Sequence, residues 1–292
     1  MPIFQAIILG IVQGATEFLP VSSSGHLIIL PWLLGWQDPG LTFDVALHAG
    51  TLLAVLVYFG PQWIRIFRAA FGGKVRVAKI FLDPPGGKPA WSQAEMDDAV
   101  SRERRLLWLL VAATIPGAIA GALLEKHADT TFRNPSLIAV MMILVGLVMW
   151  AAERVGSFRK RLTDIEWGEA MAIGVSQALA IVPGVSRSGS TIAAGLFCGM
   201  TREAAARFSF LLSTPIIAGA ALLKAHHLIK EPLPHQMYMP FAAGFVVSAL
   251  VGFAAIAALM RYLHSHSLKL FIVYRVVFGI IVLALAYRGF FR

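Results

Sequence analysis

Two short stretches bring the groups that could do chemistry into an otherwise apolar chain. The first, Gly10–Gly35 (GIVQGATEFLPVSSSGHLIILPWLLG), carries Gln13, Glu17, the serines Ser22, Ser23 and Ser24, and His26. The second, Gly174–Gly199 (GVSQALAIVPGVSRSGSTIAAGLFCG), carries Gly184, Ser186, Arg187, Ser188 and Thr191. Gln13 and Glu17 are four apart and share one helical face. Around Arg187 the glycines allow close backbone approach, and a chain break there frees N–H groups. Such a nest, at a helix start and beside a guanidinium, suits phosphate oxygens. Serine hydroxyls and a histidine nearby supply a nucleophile and an acid/base. Glu17 can orient that base or hold a divalent cation against a phosphate. No cation lies near Glu17 in sequence, which favours such a role over a structural ion pair.

The two stretches are distant copies. Sliding the chain by 164 residues without a gap matches Gly10/Gly174, Gln13/Gln177, Val21/Val185, Ser22/Ser186, Ser24/Ser188, Gly25/Gly189, Ile28/Ile192 and Gly35/Gly199. In this register Ser23 falls opposite Arg187, and His26 opposite Ser190. A shared backbone pattern thus carries different chemistry in each copy, the mark of an active site built from two halves. Serines in an apolar hairpin commonly do no more than satisfy backbone groups. Taken singly, Ser22, Ser24, Ser188 and Ser190 are read that way, whereas Ser23 gains from having Arg187 opposite. Asp44 and His48, also four apart, read as a supporting pair near the outer end of a span.

The elements that must position these groups follow from composition. Hydrophobic residues make up 58%, charged residues only 14%, and the mean hydropathy is +0.72. Ordinary soluble domains carry about 25% charged residues. Repeated apolar runs of crossing length make the chain an all-α polytopic membrane protein. Its net charge of +9 sits in short loops between apolar spans, which fits the positive-inside bias and anionic lipid headgroups better than nucleic acid. The single cysteine, Cys198, forbids an intramolecular disulfide and reads as a packing residue.

Six spans are expected, over 43–59, 106–124, 135–152, 208–223, 239–260 and 270–287. Two further segments, 3–34 and 167–199, are apolar but interrupted by Pro and Ser-Gly runs, and read as re-entrant helical hairpins. The basic stretch 62–105, with its Asp83–Pro89 turn, is expected as the main cytoplasmic loop. The chain reads as a single membrane domain, 1–292, of two repeats, 1–152 and 153–292. An odd number of crossings separates the hairpins, so the second repeat is inverted. Inverted repeats with broken helices place a site near the midplane where the breaks meet.

At Gln13-Gly-Ala-Thr-Glu17 with Ser22-Ser-Ser-Gly-His26, and at Pro183-Gly-Val-Ser-Arg-Ser-Gly-Ser-Thr191, the chain resembles the bacterial undecaprenyl-pyrophosphate phosphatases of the bacitracin-resistance type. The likeness runs nearly end to end. It implies a hydrolase that removes the terminal phosphate of a C55 polyprenyl pyrophosphate and so recycles the lipid carrier of cell-wall synthesis. It also implies a divalent cation, Mg2+ or Ca2+, and an inner-membrane, multi-pass protein whose site faces the periplasm. Carried onto this sequence, Glu17, Ser23, His26 and Arg187 are the expected catalytic residues, with Ser23 the nucleophile and Glu17 the metal ligand. Gln13, Ser22, Ser24, Gly184, Ser186, Ser188 and Thr191 are the expected substrate-binding groups. Gln13 stands where some members have Glu, which leaves this site one carboxylate poorer. The implied partners are the polyprenyl pyrophosphate and membrane lipids; a homodimer is left open.

Two rivals stand beside this reading. The acid-phosphatase superfamily of lipid phosphatases requires Ser-Arg, five intervening residues and then His, and the corresponding residue here is Ala193. A polyprenyl-phosphate transporter or flippase shares the inverted-repeat architecture and is separated only by its reaction.

Overall fold

The computed structural model describes residues 1–72, 93–129, 131–230 and 233–288. The chain forms α1 (Ile3–Phe18), α2 (Ser23–Leu34), α3 (Gly40–Tyr58), α4 (Gly60–Ala70), α5 (Gln93–Asp129) and α6 (Pro135–Val155). It continues through α7 (Trp167–Ala178), α8 (Arg187–Phe197), α9 (Arg202–Lys230), α10 (His235–Leu263) and α11 (Lys269–Tyr287). Among the described residues no strand forms, only an isolated bridge between Lys160 and Met200. Six helices (α3, α5, α6, α9, α10 and α11) are long and apolar enough to cross a membrane. The protein is an all-α, multi-pass membrane protein, in which helices satisfy the backbone groups that lipid cannot. Large apolar side chains such as Leu123, Val148 and Ile280 are exposed on these helices, as a lipid-facing surface requires.

The expected loop 62–105 is largely helical at its described ends. Trp63, Ile66 and Ala69, spaced by three, form the buried face of α4, while Arg68 stays exposed. That period is helical, and the basic residues on the opposite side do not interrupt it. Arg65 Nε lies 3.3 Å from Glu103 Oε1, and Arg104 Nε donates to the Ala69 carbonyl at 3.0 Å, tying α4 to the start of α5. The Asp83–Pro89 turn falls outside the described residues.

Both interrupted segments break where the sequence places their serines. The break after α1 runs through Pro20 and Val21 to α2, and the break after α7 runs through Pro183 and Gly184 to α8. Each broken pair packs against the other half of the chain, α1 on α10 and α7 on α5, while α6 meets α11 and α3 meets α9. In element order α1 corresponds to α7 and α5 to α10, so the halves are interlocked by an exchange of equivalent contacts. The glycine match Gly10/Gly174 has its cause here. A Cβ on Gly10 would lie 2.8 Å from the Gly244 carbonyl of α10, and one on Gly174 2.4 Å from the Ala113 carbonyl of α5. Only glycine permits either approach.

Candidate active site

Each break is capped by a serine in the left-handed region. Ser22 has φ 75° and Ser186 φ 72°, conformations that cost a non-glycine residue of order 1–3 kcal/mol and cluster at functional sites. Their hydroxyls accept the Gly25 N–H at 3.3 Å and the Gly189 N–H at 3.0 Å, capping α2 and α8 alike. The two breaks also bind one another. Ser22 Oγ accepts the Gly184 N–H at 3.1 Å, and Ser188 Oγ donates to the Leu19 carbonyl at 3.1 Å. Ser24 Oγ lies 3.4 Å from Ser22 Oγ, as Ser186 and Ser188 hydroxyls lie 3.2 Å apart. Here Ser22, Ser186 and Ser188 satisfy backbone groups.

A fully buried arginine from α11 fastens this junction. Arg275 donates to Pro20 O in the first break (3.3 Å), to Gly184 O (2.7 Å) and Val185 O (3.1 Å) in the second, and to Met141 O (3.4 Å) and Met142 O (3.1 Å) in α6. A chain break leaves carbonyls that must find donors, and the guanidinium supplies five N–H groups from one point. Arg275→Met removes the donor from the break carbonyls of Pro20, Gly184 and Val185, at about 1–3 kcal/mol for each one left unpaired. We expect it to lower the thermal midpoint of the detergent-solubilised protein by on the order of 10 °C. An unchanged midpoint would show that other donors hold the junction.

Four of the expected residues converge across the junction. Glu17 Oε2 accepts Gln13 Nε2 at 3.0 Å and Ser23 Oγ at 2.6 Å. Glu17 Oε1 accepts Arg187 Nη2 at 2.7 Å, so a cation reaches it from the start of α8 rather than from nearby sequence. Arg187 Nη1 donates to the Ser209 carbonyl at 3.1 Å. Thr191 Oγ1 backs the helix start, 2.7 Å from the Arg187 carbonyl and 2.6 Å from Ser209 Oγ. Glu17 is buried, while Arg187 is only partly so.

Ser23 and His26 are three apart at the start of α2, a spacing at which their side chains could meet, yet His26 turns elsewhere. Its Nδ1 bonds the Ser22 carbonyl at 2.7 Å, and its Nε2 lies 2.6 Å from Tyr274 Oη. A carbonyl can only accept, so Nδ1 carries the proton, and in the neutral ring Nε2 accepts from the tyrosine. The ring stacks on Tyr274 and on Phe278 of α11. His48 was read with Asp44, yet the Asp44 carboxylate turns to Arg133 Nη1 at 3.0 Å. His48 Nδ1 bonds the Asp44 backbone carbonyl at 2.7 Å instead, and its Nε2 faces Glu17 Oε2 at 3.3 Å. Ser209, Tyr274 and Arg275 are the site groups that spacing did not reveal. For Arg275 the signal was present, an ionisable residue in mid-span.

Among the described residues no three His, Cys, Asp or Glu side chains converge as a preformed metal site would need. The oxygen donors at hand are the Glu17 carboxylate and Gln13 Oε1, which is buried without a partner. Mg2+ is commonly held by one or two carboxylates together with substrate phosphates. The set therefore fits a cation that enters with a phosphorylated ligand.

The family model described as "Bacitracin resistance protein BacA" matches residues 6–281. The chain belongs to this family. Similar relatives include an "Undecaprenyl-diphosphatase" of Moorella thermoacetica, 49% identical over 97% of this chain and 98% of the relative. Proteins of the same name from Desulforudis audaxviator and Pelotomaculum thermopropionicum are 48% and 45% identical. The first alignment covers 97% of each chain, the second 98% of this chain and 97% of the relative. The BacA match spans both breaks, five candidate spans whole and the sixth as far as residue 281, so the junction described above lies inside the shared region.

Proposed function

We propose that this chain is a membrane phosphatase that hydrolyses undecaprenyl pyrophosphate to undecaprenyl phosphate and inorganic phosphate, recycling the lipid carrier of cell-wall synthesis. The observation that carries the reading is the Ser23 hydroxyl set 2.6 Å from Glu17, with Arg187 of the other repeat on the same carboxylate. That is a nucleophile, a proton acceptor and a phosphate clamp in one contact. The names of the relatives support the substrate.

In this reading the pyrophosphate competes with Glu17 for Arg187. Glu17 then loses its guanidinium partner and becomes the stronger base, while the guanidinium fork takes phosphoryl oxygens. Ser23 Oγ attacks the terminal phosphorus as Glu17 takes its proton, and the bond from that phosphorus to the bridging oxygen breaks. Undecaprenyl phosphate leaves. Water then attacks the same phosphorus, giving its proton to His26 Nε2 once that nitrogen releases the Tyr274 hydroxyl; the Ser23 Oγ–P bond breaks, Glu17 returns the proton to Oγ, and inorganic phosphate leaves. The polar break, with N–H groups at the starts of α2 and α8, favours the anion. Glu17 and Gln13 Oε1 would hold a divalent cation, Mg2+ or Ca2+, which neutralises phosphoryl charge.

The two hairpins are proposed to be re-entrant, with the site open to the periplasmic side of the bacterial inner membrane. The basic link between α6 and α7, with Arg159, Lys160 and Arg161, belongs inside by the positive-inside bias. From Glu17, contacts lead through His48 and Asp44 to Arg133, in the opposite link.

Purified protein separates the enzyme from a carrier of the same architecture. In detergent, where there is no second compartment, it should release inorganic phosphate from a polyprenyl pyrophosphate. Lipid transport across liposomes without any phosphate release would assign the carrier function instead.

A further inference from the structure

We propose that His48 is a positioning residue of the active site, holding Glu17 on the Ser23 hydroxyl from the third helix while Arg187 serves the substrate. The inference rests on the phosphatase reading and names a residue that reading does not contain.

Four side chains meet the Glu17 carboxylate, and they differ in what each can do during a reaction. Arg187 holds Oε1, and a pyrophosphate would compete for it. Gln13 lies one turn back on the same helix and moves with Glu17. Ser23 is the group to be served. His48, 3.3 Å from Oε2, is the one of the four that ties this oxygen to a membrane-spanning helix, α3.

The ring is itself fixed. Nδ1 faces the Asp44 carbonyl at 2.7 Å and Nε2 the Glu17 carboxylate at 3.3 Å; both partners can only accept, so the ring holds Glu17 as an imidazolium that donates from both nitrogens. The Asp44 carboxylate is held by Arg133, whose fork is closed on Asp38 at 2.7 and 2.8 Å. The backbone beneath is equally set. Ser248 Oγ of α10 donates to the Leu47 carbonyl at 2.7 Å, Thr51 Oγ1 donates to the His48 carbonyl at 2.9 Å, and a Cβ on Gly50 would lie 2.4 Å from the Phe245 carbonyl. The ring thus stands on a helix locked against its neighbour, as a group that positions another must. Its edge stays partly open, with 26% of the side chain exposed, whereas Glu17 is closed off at 5%.

The test pairs two variants and two readouts. His48→Leu, which fills the space without a donor, should lower kcat for phosphate release by about 10–10²-fold through misplacement of Glu17, with KM within about threefold. His48→Gln returns an N–H donor of similar reach and should recover kcat to within about fivefold of wild type. Undiminished kcat in His48→Leu, or equal losses in both variants, would overturn the proposal. Thermal unfolding without substrate gives the second readout. His48→Leu should shift the midpoint in the wild-type background and less in Glu17→Gln, because a neutral amide oxygen is a weaker acceptor for the ring than the carboxylate. Equal shifts in both backgrounds would overturn it as well. Absence of phosphate release by the wild type would sink the phosphatase reading alone, and the unfolding cycle would still decide whether His48 holds Glu17.

Discussion

Arg187→Lys lowers phosphate release by on the order of 10²-fold, the loss expected when a preorganised charge-stabilising donor is removed. The charge survives the substitution but the fork does not. Arg187 reaches Glu17 Oε1 through Nη2 and the Ser209 carbonyl through Nη1, two directions that a single ammonium cannot reproduce with the same fixed plane. The α8 cap is made by the Ser186 hydroxyl and is untouched by the change. The thermal midpoint in detergent should therefore move little while kcat collapses. Near-normal turnover in the lysine variant would dismiss the clamp and leave Arg187 as the structural partner of Glu17.

The second large effect concerns Ser23. Its hydroxyl donates to Glu17 at 2.6 Å, the placement of a nucleophile beside its base. Ser23→Ala should cut turnover by at least about 10³-fold, as removal of a working nucleophile does. The backbone tolerates it, because Ser22 and not Ser23 carries the cap of α2. Stereochemistry separates the two routes to phosphate. A terminal thiophosphate made chiral with oxygen isotopes keeps its configuration through a phosphoserine and two displacements, and inverts if water attacks once. Inversion, or substantial turnover in Ser23→Ala, would remove the phosphoserine route and leave Ser23 as a phosphate-holding group.

Local repetition made much of this arrangement legible. The register that sets Ser22 against Ser186 places two serines with almost the same φ, the same cap and the same hydroxyl neighbour two residues on. The four-residue spacing of Gln13 and Glu17 becomes a 3.0 Å hydrogen bond, because a helical turn needs nothing but its own chain to form. Spacing misled where a side chain had a better local acceptor. His26 sits three residues after Ser23 but turns to the Ser22 carbonyl, and His48 turns to the Asp44 carbonyl in the same way. In both rings the bond at Nδ1 aims Nε2 outward, so its target is set by tertiary packing that no spacing records. The helix α4 was hidden by its arginines, which drew the segment into a loop although its apolar period is helical. Arg275 was overlooked for the opposite reason, a charge inside a run read only for its hydropathy.

The most direct test of the central claim, that the two breaks form one hydrolytic centre, is a count of inorganic phosphate. Purified wild type and Glu17→Gln are incubated side by side with a polyprenyl pyrophosphate in detergent and a divalent cation. Wild type should release one phosphate for each pyrophosphate consumed, leaving the monophosphate. The Glu17→Gln variant, folded but without its carboxylate, should fall by at least about 10²-fold, as for loss of a general base. Equal release by the two proteins, or none from wild type, would contradict a centre built on Glu17.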